Sequence, residues 1–194
     1  FLYNLLEPFI NWWLGKEYLL DSLTFIVLLI NFYITGLRST ILTFKAKGGI
    51  FVQDKYMPLI EAAINLVLSL ILVNHLGLAG IFIGTTVSTL VTVFWNAPRL
   101  VYKQIFNLPV RSYFSKYIYY AIITVITCYL TTNICEFFVE GKGIPSLIEK
   151  GFICLIFPNI IYLALFYTSK EFQYIKNAFS NVIFGIKVKL TSAG

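Results

Sequence analysis

Long stretches without a charged residue divide this chain into segments of membrane-spanning length. Between residues 21 and 45 the only charge is Arg38, and residues 62–98 hold no Lys, Arg, Asp or Glu. About 20 mostly apolar residues cross the core of a bilayer, so the first stretch predicts one helical span and the second predicts two. The runs are continuously apolar and do not alternate, which indicates helices and not the strands of a membrane barrel.

The remaining apolar runs complete the predicted set of spans. Residues 117–135 and 151–169 each predict one more helix. The break inside the 62–98 stretch is predicted at residues 74–80, where glycines favour a tight turn. The pattern therefore predicts five complete spans.

The spans order the chain into four parts. Residues 1–14 are apolar and lack a charged leader and a cleavage site, so we expect the end of a helix that begins before the first residue, and not a signal peptide. Residues 15–104 hold three spans, residues 105–169 hold two further spans, and residues 170–194 form a basic tail. The fold class predicted from this order is an all-α integral membrane protein, a multi-span helical bundle.

Composition agrees with this interpretation. Hydrophobic residues make up 58% of the 194 residues and charged residues only 12%. Soluble domains have roughly 45–50% apolar and about 25% charged residues, so a water-soluble globule is excluded. Intrinsic disorder is excluded as well, because it requires low hydrophobicity.

The distribution of charge predicts the orientation of the spans. When alternate loops are assigned to alternate sides, one side carries +9, including loops 45–58 and 99–116 and the tail, and the other carries −3, including loop 136–150. The positive-inside rule places the first side, with the C-terminus, in the cytoplasm. The net charge of +6 therefore reports orientation, and nucleic acid is not an expected partner.

Arg38 is the charge that lies deepest in a predicted span, about two turns from its inner end. A charge within the bilayer costs about 2.5 kcal/mol or more, and less near the interface. Two interpretations stay open. Arg38 either faces a water-filled cavity and attracts an anion there, or it extends to the inner headgroups.

Glu61, Asn65 and Ser69 recur every four residues and form one polar stripe on the second span. Such a stripe either packs on another helix through hydrogen bonds or lines a cavity. We expect packing for Ser69, and both alternatives stay open for Glu61 and Asn65.

The third span combines a packing surface with a polar inner end. Gly80, Gly84 and Ser88 form a small-residue row, which predicts close contact with a neighbouring helix. Asn96 and Pro98 predict a kinked or unwound turn near the inner end, where carbonyls would face a cavity.

Residues for covalent chemistry or metal binding do not form a recognisable pattern. His75 is the only histidine, and the sequence has no phosphate-binding loop and no Ser/His/Asp arrangement. Cys128, Cys135 and Cys154 lack metal-ligand spacing, so we expect them to be buried or lipid-facing. A Cys128–Cys135 disulfide is improbable, because the two positions lie about 10 Å apart along a helix. We therefore expect no enzyme activity, metal or cofactor.

Four blocks in the first 120 residues carry a family resemblance. They resemble bacterial polysaccharide repeat-unit flippases, the O-antigen and capsule exporters of the MATE-like flippase superfamily. The blocks are the outer turn PFINWWLGKEYLL at 8–20, Arg38 with KGGIF at 47–51 and DKY at 54–56, LIEAAINLVLS at 59–69 with GLAG at 77–80 and IGT at 83–85, and NAPRLVYK at 96–103 with YF at 113–114.

The resemblance implies a fold and a function. The chain would be most of the second six-helix lobe plus two C-terminal helices, and its partner would be a first lobe that this sequence lacks. Such proteins move undecaprenyl-pyrophosphate-linked oligosaccharides across the bacterial inner membrane by alternating access. A cationic cavity suits a pyrophosphate. The substrate-cavity candidates are Arg38, Lys45, Lys47 and Lys55, with Glu61, Asn65 and Asn96 as further polar candidates.

Two alternative functions remain. One is another MATE-like exporter, such as a cation-coupled drug antiporter or a lipid II flippase. The other is a membrane-embedded polysaccharide polymerase or ligase, for which we would expect a large outer loop carrying Arg. The longest outer loop, residues 136–150, contains no Arg, which argues against the enzyme.

The predicted orientation can be tested with engineered cysteines. A membrane-impermeant maleimide added outside the cell should label a cysteine at Gly141 and should not label one at Gly49, since these glycines lie in loops on opposite sides. The chain without an engineered cysteine gives the background, and permeabilised cells give full labelling. The reverse pattern would overturn the topology.

Overall fold

A computed structural model describes residues 1–139, 141 and 143–178. Within these residues the regular structure is helical, with no strand, as the sequence predicts. Most of the predicted basic tail, residues 179–194, lies outside the described residues, and residues 170–178 are helical. The preceding α-helices are α1 (Leu2–Trp13), α2 (Ser22–Lys47), α3 (Met57–Leu76), α4 (Leu78–Val91), α5 (Val93–Val101), α6 (Arg111–Phe138) and α7 (Ile144–Phe166).

Five helical segments in the described part of the chain are long and apolar enough to span a membrane, which confirms the number of spans predicted from the sequence. The apolar surface of α3 shows why a lipid environment suits them, because none of the described residues of this helix is buried. A helix that is mostly apolar and is not covered by protein is typical of a membrane span. The five segments are Ser22–Lys47, Val52–Leu76, Leu78–Phe106, Arg111–Phe138 and Ile144–Phe166.

The chain divides into two compact units. One unit contains residues 9–124, and the other contains residues 3–8 with the described residues from Val125 onward. In the first unit the core consists of Ile41, Ile50, Val93, Ala97 and Val101. In the second unit the core consists of Leu5, Cys135 and Cys154.

Asp21 caps the start of α2. Its carboxylate accepts a hydrogen bond from the Thr24 backbone N–H at 3.0 Å and a second from the Thr24 hydroxyl. These hydrogen bonds stabilise the charged form of the exposed carboxylate and so lower the pKa of Asp21. The hydrogen bond from the Thr24 hydroxyl contributes most to this shift. The local sequence thus fixes where the first long span begins.

The turn between α3 and α4 lies where the sequence predicts it. Gly77 has a φ of +56°, which L side chains rarely adopt, and it lets α4 fold back on α3 at once. A Cβ at Gly80 would overlap the backbone of Leu72, and a Cβ at Gly84 would lie 2.9 Å from the backbone N of Ser69. The predicted close packing of this small-residue row is confirmed.

The break in the third span differs from the sequence expectation. It falls at Thr92 (φ −112°, ψ −92°), and Pro98 lies inside α5. The Thr92 hydroxyl donates to the Ser88 carbonyl at 2.6 Å, and the Thr92 N–H donates to the same carbonyl at 3.2 Å. A hydroxyl that competes for a helix carbonyl favours a bend. The sequence therefore predicts the kink at Asn96 and Pro98, about one turn later along the chain than the break at Thr92 in the structure.

Replacing Gly84 with Leu should destabilise the hairpin of α3 and α4. The added side chain meets backbone that cannot yield, and overpacking of this kind costs roughly 1–3 kcal/mol. Thermal unfolding of the purified protein in detergent should show a lower Tm. Gly36→Leu is the matched control, since a Cβ at that helical glycine meets nothing within 4 Å. An equal loss at both positions would contradict the packing argument.

Candidate functional site

The unit formed by residues 9–124 contains an ion pair between apolar helices. Arg38 on α2 donates from Nη1 to Glu61 Oε1 at 2.8 Å and from Nη2 to Glu61 Oε2 at 3.0 Å. Thr89 on α4 donates to Glu61 Oε1 at 2.7 Å. The side chains of Arg38 and Glu61 are 22% and 17% exposed. The two parallel hydrogen bonds are the strongest geometry available to an arginine and a carboxylate.

Local sequence brings these three side chains together. Pro58 stands in the first turn of α3, where its missing N–H costs nothing, and Glu61 follows one turn later. The close approach of α4 at Gly84 carries Thr89 to the same level. Arg38 reaches both from the middle of α2, so the pair joins three helices.

One donor of Arg38 is left over. Within the described part of the chain its Nε atom is buried and has no hydrogen-bond partner. A buried donor without a partner costs roughly 1–3 kcal/mol. The Nη1 and Nη2 atoms of the guanidinium group are therefore held by Glu61, while the Nε–H donor is unused.

A second polar cluster lies toward the end of α2. Asp54 is only 2% exposed and accepts hydrogen bonds from the Lys45 ammonium and from the Asn96 amide. These contacts join the turn before α3 to α2 and α5. The charge of Lys45 is thus paired with a buried carboxylate.

A third cluster continues along α3. The Asn65 Oδ1 atom accepts hydrogen bonds from the Ser69 hydroxyl at 2.8 Å and from the Thr85 hydroxyl at 3.4 Å. Hydrogen bonds between helices contribute to helix association inside a bilayer. The polar stripe of α3 therefore packs on α4, which is the expected role for Ser69 and resolves the two alternatives for Asn65 in favour of packing.

Five of the seven sequence-predicted site residues lie in the polar clusters, and two lysines do not. Arg38 and Glu61 meet directly, Lys45 and Asn96 meet through Asp54, and Asn65 lies one turn further along α3. Two cations are not brought to these clusters. Lys47 is exposed, and Lys55 is exposed with its Nζ 4.7 Å from the centre of the Tyr56 ring.

Two residues of the clusters were missed in the sequence. Neither Asp54 nor Thr89 is among the sequence-predicted site residues, yet both contact residues that are. The spacing of Thr85 and Thr89, four residues apart, was a signal that both face one neighbouring helix. No spacing rule in the sequence connects Asp54 with Asn96, which lies 42 positions away.

The arrangement suits reversible pairing of charges. Removing one partner of a buried ion pair leaves a charge that is expensive to keep in apolar surroundings. An anion that binds Arg38 could take the place of Glu61 without leaving the guanidinium charge unpaired. The described residues contain no group of three or more His, Cys, Asp or Glu able to hold a metal ion.

Comparison with known proteins adds no identity to this site. No protein-family model, no curated protein and no solved structure matches the chain. The resemblance to MATE-like flippases therefore depends on the sequence segments described above.

Proposed function

We propose that this chain is part of a transporter that moves undecaprenyl-pyrophosphate-linked oligosaccharides across the bacterial inner membrane by alternating access. The observation that carries the proposal is the Arg38–Glu61 pair among membrane-length helices. Ionisable residues within spans are costly and mark the paths of substrates or ions. In this proposal the C-terminus is cytoplasmic, and the partners are the bilayer, the lipid-linked substrate and a first lobe of the same protein.

Arg38 has the chemistry to exchange one anion for another. A guanidinium group binds phosphate in the same two-pronged geometry that it uses for a carboxylate. Glu61 occupies that edge here, and the unpartnered Nε offers one more donor. Glu61 then acts as a substitute for the pyrophosphate, keeping Arg38 neutralised while no substrate is bound.

The exposed lysines support the same substrate class. Lys47 is the last residue of α2 and Lys55 precedes α3, at the end of the helices that the charge pattern places in the cytoplasm. Exposed cations near a membrane surface attract anionic lipid headgroups, by about 1 kcal/mol each. They would raise the local concentration of a lipid-linked pyrophosphate on the side where it is made.

A proton-coupled exporter of the same superfamily is the second candidate. The observation that favours it is the Glu61 carboxylate, which receives hydrogen bonds from both Arg38 and Thr89. Taking up a proton would remove its charge and release Arg38, which is a means of coupling. In that case resistance to a toxic cation, and not surface polysaccharide, would depend on Glu61.

Arg38→Ala should reduce surface polysaccharide when the whole protein is made at its normal level. A charge-assisted contact is worth about 1.5–3 kcal/mol, so the loss should be roughly tenfold to a hundredfold in transport rate. Polysaccharide staining and protein abundance are measured together, and Lys16→Ala, at an exposed lysine before α2, is the control. Unchanged display with a stable protein would remove Arg38 from the site. Loss of drug resistance alone would favour the second candidate.

Exchanging the two charges should separate stability from transport. Arg38→Glu and Glu61→Arg should each lower Tm, because each leaves two like charges in contact between apolar helices. The double variant should regain much of that loss, yet it should not transport, since the guanidinium group then stands on α3. Thermal unfolding and polysaccharide display are the measurements.

Two results of this exchange would contradict the proposal. If the double variant regains full transport as well as stability, the pair has only a structural role. If it is no more stable than the single variants, the ion pair does not hold the helices together.

A further inference from the structure

The unit formed by residues 3–8 and the described residues from Val125 onward contains two cysteines in contact. Cys135 on α6 and Cys154 on α7 have their Sγ atoms 3.8 Å apart. Both are free thiols, and they are 2% and 4% exposed. No spacing rule pairs them, because they stand 19 positions apart on different helices.

The surroundings hold these two sulfur atoms in place. Leu5, Leu147 and Ile153 pack around the pair. The Asn4 amide donates a hydrogen bond to Cys154 Sγ at 3.7 Å, and the Thr132 hydroxyl donates to Asn4 at 2.9 Å. Contacts from α1, α6 and α7 therefore keep the thiols facing each other.

In the topology that the charge pattern predicts, the pair lies toward one surface of the membrane. Cys135 stands three residues before the end of α6, next to Glu136, and Lys150 precedes Cys154 by one turn. Charges at these positions mark the boundary with water. The loop between the two helices belongs to the side that carries −3, which the positive-inside rule places outside the cytoplasm.

An apolar cavity lies in the same unit as the pair. It has a volume of about 490 Å³ and is lined by residues of α6 and α7 and by Val139. Its lining includes Ile134 and Ile153, the chain neighbours of the two cysteines, and the acidic Glu149, but neither cysteine itself.

We propose that Cys135 and Cys154 form a disulfide that joins α6 to α7 on the non-cytoplasmic side. The oxidant is a protein or small-molecule disulfide of that compartment, where disulfides form and persist. One cysteine thiolate attacks the donor disulfide and forms a mixed disulfide, and the other then displaces the donor sulfur. The two thiols lose two protons and two electrons, and the donor is reduced to two thiols.

The geometry suits this bond. A disulfide needs the sulfur atoms at about 2.05 Å, so they must approach by less than 2 Å from their separation of 3.8 Å. Cys128 does not compete, because it stands seven residues before Cys135 on the same helix. The inference uses the orientation of the loop and not the identity of the transported substrate.

The experiment counts the thiols that reduction of a disulfide releases in the whole protein. Cells are quenched with acid, free thiols are blocked with N-ethylmaleimide under denaturing conditions, and a reductant is followed by a maleimide of 5 kDa that shifts the band. Wild type should gain two adducts on reduction. Cys128→Ser should gain the same two, whereas Cys135→Ser and Cys154→Ser should each lose both.

The outcomes separate this inference from the proposed function. Two adducts that appear only on reduction support the disulfide whatever the protein transports. Complete blocking of both thiols before reduction overturns it, as does a reducible dimer that depends on Cys135 or Cys154. Because the thiols are counted after denaturation, a variant that folds poorly still gives a readable result.

Discussion

The Arg38–Glu61 ion pair is the interaction on which the arrangement of α2, α3 and α4 depends. Two opposite charges in apolar surroundings must find each other, because neither can be left unpaired at acceptable cost. Their two hydrogen bonds, at 2.8 and 3.0 Å, fix the rotation of α2 against α3, and Thr89 adds α4 to the same point. Apolar side chains alone would fix it less strictly, since lipid and neighbouring helices are similar environments for them.

The other contacts of this unit extend the same constraint. Gly80 and Gly84 allow the backbones of α3 and α4 to touch, and this contact sets Thr85 opposite Asn65. At the other end, Asp54 holds Lys45 and Asn96.

Much of the fold could be predicted, because each prediction depended on local chemistry. Charge-free runs gave five membrane-length helices, and the glycine at position 77 gave the turn between α3 and α4. The break in the third span was misplaced, since Pro98 is a strong signal in the sequence while the hydroxyl of Thr92 is a weak one. The candidate site was predicted in part: Arg38 and Glu61 were chosen for their depth, but neither was assigned a partner.

The sequence by itself determined the helical class and the number of membrane-length helices, because these depend on transfer of residues between water and lipid. Only the tertiary structure decided that Arg38 meets Glu61, that Asp54 receives both Lys45 and Asn96, and that Cys135 meets Cys154. The physical reason is that each pair joins different helices. Which faces meet depends on how the helices rotate and pack, and that is set by all their contacts together.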